Sequence, residues 1–152
     1  MLNKGAGQPK LGGMEIQTAV LCDAATDQFG KLNILGTFDT IQTPALPAIH
    51  PQCSVALRMT FNKVEEGQHK VKLNFVDEDG HPVMPDIDVP IDVVVPDDTI
   101  FISRNFIVNI QKLKFDKSGL YAINLALDSH QVGSIPLLVK QVKMPGQPGA
   151  GS

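Results

Sequence analysis

Between Met14 and about Val142 the apolar residues recur at every second position, a period that admits little besides half-buried β-strands. The clearest run is Ser54 to Asn62, where Val55, Leu57, Met59 and Phe61 alternate with Ser54, Ala56, Arg58, Thr60 and Asn62. His69, Val71, Leu73 and Phe75 alternate with Gln68, Lys70, Lys72 and Asn74. In DIDVPIDVVV, Ile87, Val89, Ile91, Val93 and Val95 take one face, and Asp86, Asp88, Pro90 and Asp92 the other. Leu32, Ile34 and Phe38 share a face after Gly30, as do Tyr121, Ile123, Leu125 and Leu127 after Gly119. Ile135, Leu137 and Val139 repeat the pattern near the end. Two runs, Glu15 to Asp23 and Thr99 to Leu113, are less regular and in places apolar on both faces. The count comes to about eight strands, and no stretch sustains a helical period.

The connections carry turn chemistry: Gln28-Phe29-Gly30, Glu65-Glu66-Gly67, Asp77-Glu78-Asp79-Gly80, Pro96-Asp97-Asp98 and Lys117-Ser118-Gly119. Short strands with regular turns predict an all-β fold, an antiparallel two-sheet sandwich of immunoglobulin-like architecture. The only tyrosine, Tyr121, follows a turn and opens a strand, which is where a tyrosine corner bonds its hydroxyl back to the upstream backbone. Pro90 removes a ladder donor, so its strand belongs at a sheet edge. Asp86, Asp88 and Asp92 would deter edge-to-edge pairing there.

The 152 residues suffice for one domain with a real core. Seven of the thirteen glycines fall in residues 1–13 and 144–152. This divides the chain into an N-terminal arm (1–13), a sandwich domain (14–143) and a C-terminal tail (144–152), both ends reading as flexible. Met1 to Gly13 lacks the apolar stretch of a secretory signal, and no apolar run approaches a membrane span. Cys22 and Cys53 lack disulfide-framework or zinc spacing and read as buried thiols in a cytoplasmic protein. Two arginines, Arg58 and Arg104, and a net charge of −3 argue against nucleic acid as a partner.

No HExxH, GxSxG, GxxxxGK[ST] or CxxC motif is present, so no catalytic or cofactor-binding residues are assigned and the chain is expected not to be an enzyme. If consecutive strands are antiparallel, the turns near residues 47, 79 and 116 share one end of the sandwich. His50, His81 and Asp116, with Asp77 and Asp79 nearby, would then be the candidate metal ligands, of a type that suits zinc or iron. Solvated loop histidines are the stronger reading, and no metal or cofactor is assigned. Turns near 28, 65, 97 and 130 share the other end and gather Asp27, Glu65, Glu66, Asp97 and Asp98, without calcium-loop spacing. His69 belongs on the inward face near a strand start and His130 at a hairpin tip. Carbohydrate is disfavoured because Phe29 and Phe115 are the only rings expected to be exposed.

Met14 to Thr43, with the block Lys31 to Asp39 (KLNILGTFD), and the later GLYAINLALDSHQVGSIPLLV resemble a family of small bacterial domains of unknown function. The resemblance implies a compact β-sandwich and transfers no functional residue. The functional expectation is a non-catalytic interaction or structural module, with a protein partner or self-association through sheet edges and tails. The alternative is an accessory domain that binds a small ligand or a divalent metal.

Overall fold

A computed structural model describes residues 13–143 and, within them, nine strands and one single 3-10 turn. In chain order these are β1 (Glu15–Gln28), β2 (Lys31–Phe38), β3 (Thr40–Thr43), β4 (Ala48–Asn62), the 3-10 turn (Lys63–Glu65), β5 (Gly67–Asp77), β6 (Ile87–Val93), β7 (Phe101–Phe115), β8 (Gly119–Leu127) and β9 (His130–Gln141). They form two sheets, ordered β2-β1-β4-β7 and β3-β9-β8-β5-β6. The all-β two-sheet sandwich is therefore observed. The strand beyond the expected eight is β3, split from β2 by Asp39, where the chain passes from one sheet to the other. It pairs with β9 in parallel, the one exception among the antiparallel ladders of the described residues. The N-terminal arm and C-terminal tail lie outside the described residues, apart from Gly13.

Alternation builds the core. Val55, Leu57, Met59 and Phe61 of β4 are fully buried, as are Val71 of β5 and Leu125 and Leu137 of the facing sheet. Each side chain of this size contributes about 1.5–3 kcal/mol on burial. Pro90 lies on β6, an edge strand as expected, opposite Lys70. Tyr121 forms the tyrosine corner, its hydroxyl donating to Lys117 O at 2.6 Å.

The two irregular runs have a structural cause. Cys22 pairs with Ser54, and Thr18 with Arg58, so β1 climbs away from Arg58 as it proceeds. Yet Gly30, beyond the end of β1, accepts from Arg58 at 2.9 Å, and Asp27 accepts from Asn105 on β7 at 2.8 Å. The outer half of β1 and of β2 therefore folds back as a hairpin, crossing the outside of its own sheet diagonally. The bend falls where Gly36 adopts φ +67 beside Asp23, in the gap of the ladder between Cys22↔Thr37 and Ala24↔Leu35. Beneath the hairpin, Cys22, Ser54 and Ala56 are buried although they point out of the sandwich. Small and apolar residues on both faces of β1 and β4 reflect a sheet covered twice.

On β7, Lys112 has φ 54, and the strand changes face there. Ile110 lies inward, and so do Leu113 and Phe115, a spacing that straight alternation forbids. This corrects the expectation that Phe115 is exposed: it is 1% exposed, packed between Phe75 and Tyr121.

Candidate functional site

The strand directions sort the turns into two ends. At one, the end of β4 and start of β7 meet (Asn62↔Phe101), as do the start of β5 and end of β6 (Gly67↔Val93), with the β8–β9 turn beside them. This is the His69 end. At the Tyr121 end lie the β5–β6, β7–β8 and β3–β4 connections.

The Tyr121 end holds the predicted metal candidates but does not unite them. Asp77, Asp79 and His81 come together, their ligand atoms within 4.8 Å of one another. His50 instead lies against Phe38 in a tilted pair, with ring centroids 5.6 Å apart, and Asp116 pairs with Lys114 at 3.7 Å. The Asp77 carboxylate accepts from the backbone N–H groups of Asp79 and His81, both at 2.9 Å, and Lys117 Nζ lies 3.7 Å away. Those bonds, from His81 first, hold Asp77 below the usual carboxylate range. With Lys117 also 3.5 Å from Asp79, the cluster already carries its countercharge and serves as a turn lock.

The His69 end is a bonded frame. Asn62 and Glu65 form a reciprocal cap: Asn62 Oδ1 accepts from Val64 N at 3.1 Å, and Glu65 Oε1 accepts from Asn62 N at 2.9 Å. Lys63 Nζ donates to Val95 O at 2.8 Å and Asp97 at 3.0 Å, while Glu66 accepts from Val95 N at 2.8 Å. The hydrogen bond with Asp97 is the main reason Lys63 titrates above, and Asp97 below, their ordinary ranges. His69 stacks on Phe61, with ring centroids 6.2 Å apart. Its Nδ1 meets Asp128 at 2.5 Å and its Nε2 meets Glu65 O at 2.6 Å. Of the expected acidic residues here, Glu65, Glu66 and Asp97 are committed to these bonds, and Asp27 to Asn105.

On this frame stand side chains that ought to be inside. Val64 is 79% exposed, Val94 61%, Ile100 82% and Phe101 51%. Phe29, 95% exposed as expected for a turn, sits at the tip of the folded-back hairpin. That tip rests over Arg58 and Asn105, about 13 Å along the same face of β7 from Phe101. The remaining exposed large apolar side chains, Leu35, Ile49, Leu120 and Leu138, are spread over the hairpin and the opposite end. Sequence reading missed Val64, Val94, Ile100 and Phe101. A signal existed in Val93-Val94-Val95, three apolar residues in a period-two strand, one of which must face outward.

Three spaces are found among the described residues, one of them, about 320 Å³, on the hairpin itself between Ala24, Thr26, Asn33 and Leu35. A void of about 10 Å³ among Val55, Leu73, Phe75, Met84, Ile110 and Ile123 is too small for any ligand. A cleft of about 310 Å³ opens where β2 leaves β1, lined by Ala19, Leu21, Thr37, Phe38, Asp39 and Ile135 among others. Both cysteines are free, with Cys22 on the hairpin side of the sheet and Cys53 in the core. Burial pushes the Cys53 thiol up to about 11. Among the described residues no helix is long and apolar enough to cross a membrane.

These features define an all-β, two-sheet sandwich with a third, partial layer made by its own hairpin. The sequence profile of a family of unknown function, DUF6941, matches residues 17–140, and the chain belongs to that family. Among curated proteins none matches. Among solved structures, the alkylpurine DNA glycosylase AlkC of Pseudomonas fluorescens, bound to DNA containing an abasic site analog, is similar at 7% identity with a TM-score of 0.50. The match covers 84% of this chain and 30% of that one, and the likeness is one of fold. It corrects the expectation that set nucleic acid aside as a partner. A sandwich of this kind occurs within a DNA-bound protein, so mild acidity and two arginines do not exclude that class.

Proposed function

We propose that this chain is a non-catalytic interaction module that docks a partner's apolar surface on its His69 end. The observation that carries the reading is the display of Val64, Val94, Ile100 and Phe101 on turns rigidly bonded to one another. Monomeric proteins seldom gather exposed apolar side chains in one region without a binding role. Here the frame beneath them holds the shape in advance, which lowers the ordering cost of binding. The two unbridged thiols suit a reducing compartment such as the cytoplasm.

The test compares the natural chain with Val64→Asp, Ile100→Asp and a control at the other end, Leu120→Asp. A captured partner is purified and titrated against each, alongside a labelled DNA duplex. Loss of about tenfold or more in affinity with the first two changes alone supports the reading. Equal binding by all four chains, or salt-sensitive binding of the duplex alone, would replace it.

The 310 Å³ cleft favours a second reading, since that volume reaches the lower bound for small-molecule pockets, roughly 300 Å³. Thr37 and Asp39 would supply its polar contacts. A flat thermal-shift response to a metabolite set and to divalent ions removes it.

A further inference from the structure

We propose that the protonated ring of His69 is a latch, fastening the 3-10 turn that carries Val64 to the β8–β9 turn, so that the docking end holds its shape in the imidazolium form and loosens when the proton leaves. The inference rests on the reading of this end as the binding surface, and adds its regulation.

The geometry is one of donors and acceptors. Both groups facing the ring nitrogens are acceptors only: the Asp128 carboxylate at Nδ1 and the Glu65 carbonyl at Nε2. An imidazolium has two N–H donors and satisfies both; a neutral imidazole has one, and turns a lone pair toward the other oxygen. Loss of the proton therefore releases one of the two segments. Each is short, and among the hydrogen bonds of the described residues only those of the His69 ring join the two. The 3-10 turn is a single turn with no buried residue, kept by the Asn62–Glu65 cap and Lys63. The β8–β9 turn contains Asp128 and Ser129, both at positive φ, and is tied to β5 by Asp128 N to Lys70 O and Lys70 N to Asp128 Oδ1, each 2.9 Å.

Other charged groups nearby are engaged elsewhere. The Glu65 side chain accepts from Asn62 N, Lys63 and Glu66 bond the Val95–Asp97 segment, and His130 Nδ1 meets Asp128 O. Phe61 supplies an apolar floor. Hydrogen bonding to Asp128 is the chief cause that raises the His69 pKa above its ordinary value, and the same bond lowers that of Asp128. The latch is thus closed below the unfolded histidine value, about 6.5, and opens as pH rises through the raised folded value. Asp128 stays ionised throughout this range.

The experiment follows the His69 ring by NMR from pH 5.5 to 9 on the full chain, with hydrogen exchange of the Val64, Glu66, Lys70 and Asp128 amides corrected for intrinsic rate. Protection at these amides is expected to fall about tenfold in step with the His69 titration. His69→Phe keeps a stacking ring and should show low protection at every pH. Asp128→Asn keeps an acceptor but not the charge, and should move both the titration and the loosening to lower pH. Exchange that ignores the His69 titration, or the same pH response in His69→Phe, would overturn the latch. Should His69→Phe not fold, Asp128→Asn decides alone. No partner enters this measurement, so failure of the Val64 and Ile100 substitutions to alter binding would sink the interface and leave the latch standing.

Discussion

Tyr121 and Gly36 show how single residues hold this fold. The Tyr121 hydroxyl, donating to Lys117 O, ties the β7–β8 turn to the strand that follows, while its ring meets Phe115 edge-on with centroids 5.0 Å apart. Tyr121→Phe keeps the ring and strands a part-buried carbonyl, so a loss of about 1–2 kcal/mol is expected. Urea denaturation measures it; an unchanged midpoint would mean that water replaces the hydroxyl without cost. Gly36 is constrained twice, by φ +67 and by Asp23, whose Oδ2 would lie 2.5 Å from an added Cβ. Gly30, at φ +80, would meet nothing within 4 Å. Gly36→Ala should therefore cost more than Gly30→Ala, for which the left-handed backbone alone costs about 1–2 kcal/mol. Equal costs in the same denaturation assay would show that Asp23 simply swings away.

The folded-back hairpin is the element that distinguishes this sandwich from a plain two-layer one. Asn105 anchors it, donating to Asp27 and Gly30 O and accepting from Arg58 Nη1 at 2.7 Å. Asn105→Ala removes all three bonds and should let the hairpin lift. Cys22 would then react with a thiol reagent several-fold faster, while Cys53, inside the sandwich, would not change. Unchanged Cys22 labelling would mean that apolar contacts of Leu32 and Ile34 suffice to hold the hairpin down. β5 and β6 were legible in the sequence because each has one buried face and one wet face, and β4 because its inward row is large and apolar while its roofed outer row is small or polar, so composition alternates with geometry. β1 and β7 were blurred for reasons that only the folded chain reveals. The outer face of β1 is roofed by its own continuation, and β7 turns over at Lys112. Neither a bend at Asp23 nor a bond from Asn105 to Asp27, 78 residues apart, leaves a local signature. The grouping of turns at two ends was legible, since antiparallel strands alternate in direction. Which side chains crown those turns was not: Ile100 and Phe101 look like the first residues of a buried strand.

At the scale of the whole molecule, the shifted groups set a window of pH within which the sandwich is most stable. Asp27, Asp77, Asp97 and Asp128 all have lowered pKa values in the folded chain, caused chiefly by hydrogen bonds from Asn105, His81 N, Lys63 and His69 respectively. A depressed carboxylate contributes stability that is complete above its unfolded value, about 3.9, and is lost as pH falls through the folded one. His69 has the opposite sign: its contribution is complete below about 6.5 and is lost as pH rises through the raised folded value. Stability should thus plateau between about pH 5 and 6.5, fall steeply on the acid side where four groups act together, and fall gently on the alkaline side, where His69 acts alone until the buried thiols of Cys22 and Cys53 join it near the unfolded thiol value, about 8.5. Urea midpoints from pH 3 to 8, below the thiol range, measure the profile. In His69→Phe the alkaline slope should vanish and the acid limb lose only the share carried by Asp128, whose partner is gone. The four carboxylates lie at different places, Asp27 near the hairpin tip, Asp77 at the Tyr121 end, and Asp97 and Asp128 at the His69 end, so their contributions should add. An alkaline slope that survives in His69→Phe would move the proton-sensitive element elsewhere in the molecule and separate global stability from the state of the docking end.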